Sequence, residues 1–361
     1  MNSIKTSKFD GLFYAVILSD LCAYFFEPTL VTKLTPFVLG VMVFFYITSH
    51  SIEYISLCLF LAIIFITCKL VNQDSSLNLA TVLINIALGW YLYLQKPKDG
   101  PWTILMSLIF LLLAFRFYTS RGDISNVLLS ASENHISVIA LSVSLFYYTL
   151  SYKKCRLVSL TPALITLLFS IIATGRSGII CSTFLISGIF LYNLILIKKT
   201  GTVNFFYAIS GLIVVWLLYI NANLLYEISN SSSLLWRFRF DYTTDGRIQI
   251  LEAYFSDLSV LNFIFGRSST FISNRVGMSV HISYLQWHIS FGFFAFAMYI
   301  TVGFAYLKMF LVNKVYFILM TVLLIRGATD HVLLTAGFSF GVLLTYFCLI
   351  SYAPNYDKFR H

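Results

Sequence analysis

In "IIATGRSGII", residues 171–180, Arg176 lies between two apolar runs with only Gly175, Ser177 and Gly178 beside it. A guanidinium is a planar, permanently charged fork that meets phosphate or carboxylate oxygens two at a time. The two glycines permit a tight reversal or a helix start whose free N–H groups favour an anion. A surface turn with a snorkelling arginine is the plainer reading of the same residues. In "DGRIQILEAYF", 245–255, Arg247 falls in the first turn of an expected surface helix capped by Asp245, with Ile248, Ile250, Leu251, Tyr254 and Phe255 at helical spacing. A cation there gains nothing from the helix dipole, so it needs a partner, either an anion at that terminus or Asp241 or Asp245. His281 opens "HISYLQWHISFGFFAF", 281–296, where a loop becomes a helix. Imidazole titrates near enough to neutrality to act as a general base, although an interface histidine can equally be structural. His288, seven residues on, shares nearly the same helical face at greater depth.

The elements that must position these groups are membrane helices. Of 361 residues 59% are hydrophobic and 11% charged, against roughly 25% charged in soluble domains, which excludes an ordinary soluble fold. Apolar stretches long enough for a bilayer core begin near residues 12, 34, 54, 78, 101, 136, 157, 178, 204, 288, 315 and 332, about twelve spans in all. With the N-terminus in the cytoplasm, Lys5, Lys8, Lys96, Lys98, Lys153, Lys154, Arg156, Lys198, Lys199, Lys308, Lys314, Lys358 and Arg360 all fall inside, as the positive-inside rule asks. The basic residues left outside are Lys33 and Lys69 and nine arginines: Arg116, Arg121, Arg176, Arg237, Arg239, Arg247, Arg267, Arg275 and Arg326. Lysine suffices to anchor topology; an arginine-rich outer face suits an anion, although any one of these residues can be a lipid contact or a helix cap.

Residues 222–280 form the one large outer loop, and "RFYTSRGDISNVLLSASENHIS" (116–137) and "IRGATDHVLL" (325–334) add Glu133, Asn134, His135, Asp330 and His331 to the same side. No P-loop, HExxH, CxxC or GxSxG segment is present, so an ATP-driven pump or a serine hydrolase is unsupported. The six cysteines show no paired spacing, and neither a metal nor a cofactor is expected. The net charge of +9 is scattered through short loops, which argues against nucleic acid. No cleavage-like site precedes the first apolar run, and Met1 is taken as the mature start.

Read in order, the "RSG" turn, the "DGR" segment, Asn262-Phe263-Ile264-Phe265-Gly266 and then His281, Tyr284, Leu285 and Gly292 form a series. It resembles the O-antigen ligase and O-antigen polymerase superfamily, with its R-S-G turn, S/D-G-R segment, N-x-L-F-G stretch and H-N-x-Y-L-x-x-L-x-x-x-G segment. "ENHIS", 133–137, is similar to the family's N-x-x-S/A start of a span. The likeness covers residues 100–300; Ser283 stands near the place of the family's Asn after His, and the first four spans carry no motif.

The resemblance implies an all-α integral membrane protein, a single polytopic unit over 1–361 of the glycosyltransferase class GT-C, with residues 222–280 as a periplasmic loop. It implies a bacterial inner-membrane location, both termini cytoplasmic and the site facing the periplasm. Donor and acceptor would be oligosaccharides linked by pyrophosphate to undecaprenol, with membrane lipids as further partners and room for a chain-length regulator. Arg176 and Arg247, with Arg116, Arg121 or Arg326, would hold the pyrophosphate. His281 would be the base of an inverting transfer, and Tyr284, Asp245, Glu133 and Asn134 would touch acceptor or sugar. Trp236, Tyr242 and Tyr254 could stack on sugar rings. Polymerase is the first expectation, a ligase to lipid A-core the second, and a flippase or transporter, which needs charge in mid-span, the third.

Overall fold

The computed structural model describes residues 10–72, 79–121, 123–153, 156–200, 246–256, 258–278, 280–334 and 337–352. Asp245, Trp236, Tyr242, the expected span near 204 and the first part of the large loop lie outside the described residues. Every regular element among the described residues is helical. That is the solution a bilayer enforces, since a helix satisfies its backbone polar groups within one segment. In chain order the helices are α1 (Asp10–Cys22), α2 (Leu30–Thr48), α3 (Ile52–Asn72), α4 (Leu79–Gln95), α5 (Asp99–Thr119), α6 (Asn134–Ser151), α7 (Thr161–Ile172) and α8 (Arg176–Thr200). After the undescribed stretch come α9 (Gly246–Phe255), α10 (Val260–Phe265), α11 (Ser269–Val276), α12 (Ser283–Phe291), α13 (Phe294–Val312), α14 (Lys314–Thr329) and α15 (Phe340–Tyr352). Short 3-10 turns occupy Ala23–Phe25 and Ile124–Asn126.

Five of these helices, α2, α3, α5, α8 and α13, are long and apolar enough to cross a membrane. Their outward faces are apolar, as Ile63, Leu111, Ile195 and Ile300 illustrate, all exposed. Such faces are at home against lipid tails, and the chain is an α-helical membrane protein. Lipid tails give helices no hydrophobic reason to associate, so close packing at small residues must supply the attraction. The most extensive pairings follow that rule: a Cβ on Gly89 of α4 would lie 2.5 Å from Thr345 of α15, and one on Gly188 of α8 would lie 2.7 Å from Ile318 of α14.

The loops expected on one side of the membrane bond to one another. At one end of the bundle Tyr91 donates to Asp10 Oδ1 (2.7 Å), Tyr14 to the Lys98 carbonyl, Tyr148 to the Ser159 carbonyl (2.9 Å), and Asn193 exchanges two bonds with the Val158 backbone. At the other end the 127–130 segment binds Tyr24, Asp20 accepts from the Phe338 N–H, and α14 meets the start of α8. Lys96, Lys98 and Lys153 thus lie at the first end with Asp10, and Arg326, Asp330 and Asp20 lie at the second.

Two expected span starts are displaced, each for a backbone reason. The last helix begins at Phe340 rather than near 332, because residues 330–334 and 337–339 form irregular backbone, several of whose polar groups are taken up by side chains. Ser283 Oγ accepts from the N–H groups of Val332 (2.9 Å) and Leu333 (3.0 Å), Trp287 donates to the Leu333 carbonyl, and Asn85 donates to the carbonyls of Leu334 and Gly337. Buried irregular backbone needs such partners for its polar groups. The span expected from 288 is cut at Gly292, whose φ of +52° ends α12.

A Cβ on Gly292 would lie 2.1 Å from the Ile264 carbonyl, and one on Gly266 (φ +83°) 2.4 Å from that of His288. The two glycines of the motif series therefore face each other's helices, seating α10 against α12. Gly292→Ala should lower the melting temperature in detergent markedly, by about 3 kcal/mol or more of strain and clash. An unchanged melt would mean that this contact is loose.

Candidate functional site

The second end of the bundle is built around a buried guanidinium. Arg326, in the last turn of α14, is 0% exposed; it donates to Ser177 Oγ in the first turn of α8 and to Asp330 Oδ2 at 2.7 Å. Its Nε is buried with no hydrogen-bond partner. Asp330 caps the C-terminus of α14, where a carboxylate opposes the helix dipole, so the arginine beneath it is what makes the position tolerable. Arg247, from α9, donates through Nε to the Thr329 carbonyl (3.0 Å) at the same terminus. The cation that gained nothing from its own helix dipole is thus placed on the favourable end of another.

Arg176, the first residue of α8, is exposed and has no hydrogen-bond or ion-pair partner among the described residues. The glycines beside it serve close approach, since a Cβ on Gly178 would lie 2.5 Å from Ser137 Cβ and one on Gly175 3.5 Å from Asn134 Oδ1 of α6. The reversal itself is taken by Thr174, at φ +50°. The N-terminus of a 25-residue helix, its leading N–H groups, Arg176 and the half-satisfied Arg326 therefore converge at one junction, with Arg247 across it. Such a junction favours an anion.

Beside it stand the imidazoles. His281 is exposed, two residues before the start of α12, and Ser283 fixes the backbone there by donating to the Asp330 carbonyl (2.7 Å) while accepting from 332 and 333. His135, in the first turn of α6, lies within the electrostatic influence of Asp330, Arg326 and His281. His331 follows Asp330, and its Nε2 is buried without a hydrogen-bond partner. Burial, helped by His281 and opposed by Asp330, pulls the His331 pKa down from 6.5 to about 4. The ring is neutral in the folded protein and takes a proton more readily unfolded, so its contribution to stability is complete above about pH 6.5 and is lost as pH falls toward 4. His331→Gln should flatten the loss of melting temperature across that window; an equally steep loss would place its cause elsewhere.

Compared with known protein families, curated proteins and solved structures, the chain matches none. Among the described residues no group of three or more His, Cys, Asp or Glu side chains is placed to hold a metal ion.

The remaining sequence candidates are placed as follows. Arg116 donates to the carbonyls of Val127 (3.2 Å) and Asn126 (3.3 Å), holding its own loop. Arg121 sits in a left-handed turn at the end of α5, exposed beside Phe117, Tyr118 and Thr119. Neither makes a hydrogen bond or ion pair with the Arg326 cluster. Tyr284 is half-buried, its hydroxyl donating to the Leu324 carbonyl (2.8 Å) and its ring set against Trp287 and Tyr299. Glu133 and Asn134 lie at the start of α6, next to the "RSG" segment. Two polar residues, one of the outer loop and one of α12, turn inward. Arg267 is buried and donates to the carbonyls of Ala253 (3.1 Å), Tyr254 (2.7 Å) and Ser256 (2.5 Å), closing the end of α9. His288 is held between Tyr254 and the Phe263 carbonyl.

Proposed function

We propose that this chain is a glycosyltransferase of the bacterial inner membrane, a lipid-linked polysaccharide polymerase whose site opens to the periplasm. The observation that carries the reading is the exposed imidazole of His281 standing at the same end of the bundle as a buried, half-satisfied arginine and the free N-terminus of α8. An anion-holding junction beside a general base is what transfer from a pyrophosphate-linked donor requires. The order of motifs supports the same reading.

In the reaction His281 takes the proton of an acceptor hydroxyl as its oxygen attacks the anomeric carbon of the donor sugar. The bond from that carbon to the pyrophosphate oxygen breaks, and the electron pair leaves on undecaprenyl pyrophosphate with inversion at the carbon. Arg176 and Arg247, with the N–H groups at the start of α8, hold the leaving phosphates and the charge that grows on them. The charged groups of the proposed site, Arg176, Arg247, Arg326 and Asp330, collect at one end. The two residues that would suit a transport path are engaged, Asp20 by the Phe338 N–H and His288 by Tyr254 and Phe263. That arrangement favours chemistry at one face over carriage across the membrane.

Purified protein given lipid-linked repeat units should yield a ladder of longer glycans. A single product that needs added lipid A-core would identify a ligase, and neither product would turn the assignment toward a flippase. Arg176→Lys keeps the charge and loses the fork. It should lower kcat/KM for transfer on the order of 10²-fold, as removal of a preorganised donor does; turnover near normal would remove Arg176 from the site.

A further inference from the structure

Next to the Arg326–Asp330 pair the cluster has an aromatic side, made by Tyr24 and His135. Tyr24 follows α1 in the turn Ala23–Phe25, and its carbonyl accepts from the N–H groups of Leu129 (3.1 Å) and Ser130 (3.5 Å), which fixes its place. Its ring lies against that of His135, with centroids 5.4 Å apart and planes tilted by 33°. Both side chains are half-buried. Ser132 Oγ meets His135 Nδ1 at 3.2 Å and sets the plane of the imidazole. The Tyr24 hydroxyl has no hydrogen bond to any described residue, although the charges of Asp20 and Asp330 both act on it. Burial first, then those two carboxylates, push the phenol's pKa upward, so the hydroxyl keeps its proton and remains a donor. Asp330 is 28% exposed at its side chain and so remains open on one side while Arg326 holds the other.

A pyranose offers an apolar face of C–H groups and a rim of hydroxyls. Aromatic rings take the first, and carboxylates and phenols the second. We propose that Tyr24, His135 and Asp330 form the subsite for the acceptor sugar, an uncharged pyranose laid on the ring pair with its hydroxyls read by Asp330 and the Tyr24 hydroxyl. Its attacking hydroxyl then faces His281, which lies in the same electrostatic neighbourhood as His135. The Asp330 carboxylate favours a neutral sugar over an acidic one at that position. The inference rests on the transferase reading and adds to it the acceptor side, which comes from α1, a part of the chain with no motif in the resemblance.

The test is steady-state transfer with the acceptor varied at saturating donor. Tyr24→Ala should raise the acceptor KM roughly three- to tenfold, the worth of one aromatic contact, leave the donor KM unchanged, and be rescued by Tyr24→Trp. Tyr24→Leu gives the same reading with the core volume kept, should the alanine variant fail to fold. Binding is followed separately by saturation-transfer NMR, with the repeat-unit oligosaccharide freed from its lipid by mild acid. Signals on the terminal sugar in the wild type that vanish in Tyr24→Ala support the subsite, and equal signals in both overturn it. An unchanged acceptor KM also overturns it, with the transferase reading intact. Sugar signals that depend on Tyr24 in a wild type without turnover would instead overturn the transferase and leave a sugar site.

Discussion

His281→Ala is expected to lower kcat for glycan transfer by roughly 10²- to 10⁴-fold, the range a positioned general base supplies, with the folded protein intact. The fold should survive because the backbone at this point is fixed by Ser283, which bonds residues 330, 332 and 333. His281 is exposed, so its removal opens no cavity in the core. Donor affinity should change little, since the proposed pyrophosphate contacts are at the α8 and α14 termini. The outcome separates a base from a binding group: a fall in kcat with donor KM kept supports the base, and a rise in donor KM alone would move His281 to the phosphate side.

The second large effect concerns Arg326. Replacing it by Met leaves Asp330 without its partner at a helix C-terminus and Ser177 without its donor, both at the junction of α8 and α14. Breaking a buried pair from one side costs about 3–5 kcal/mol, so Arg326→Met should show a sharply lower melting temperature in detergent. Removing both charges, as Arg326→Met with Asp330→Asn, should recover part of that loss, because no charge is then left unpaired. Lost transfer with an unchanged melt would instead assign Arg326 to direct contact with the donor phosphates.

Much of the helical frame was legible in the sequence, since bilayer length and hydropathy leave few alternatives for segments such as α3 or α5. The breaks were not. Gly292 and the segment from 330 to 334 both look apolar enough to belong to a span, and what stops them is tertiary: the Ile264 carbonyl against Gly292, and Ser283, Asn85 and Trp287 on the backbone near 334. Side-chain partners decided the arginines in the same way. Nothing in "RFYTSRGD" tells that Arg116 folds back on its own loop while Arg326, in an equally apolar setting, is buried with an aspartate. Arg247 has one partner that the sequence did not suggest, the carbonyl end of α14. The glycines of "GRSG" were readable as special; that they admit Ser137 of α6 was not. His135 and Asp330 stood in the sequence as outer polar residues, and only the packing of α1, α6, α12 and α14 brings them beside His281.

The most direct test of the central claim is to count, for purified wild-type protein in bilayers with lipid-linked repeat units, the undecaprenyl pyrophosphate released against the glycosidic bonds formed. Transfer at this site predicts one pyrophosphate carrier released for each bond, with both signals vanishing together in His281→Ala. Repeat units that cross the bilayer with neither carrier release nor bond formation, or full turnover in His281→Ala, would contradict it.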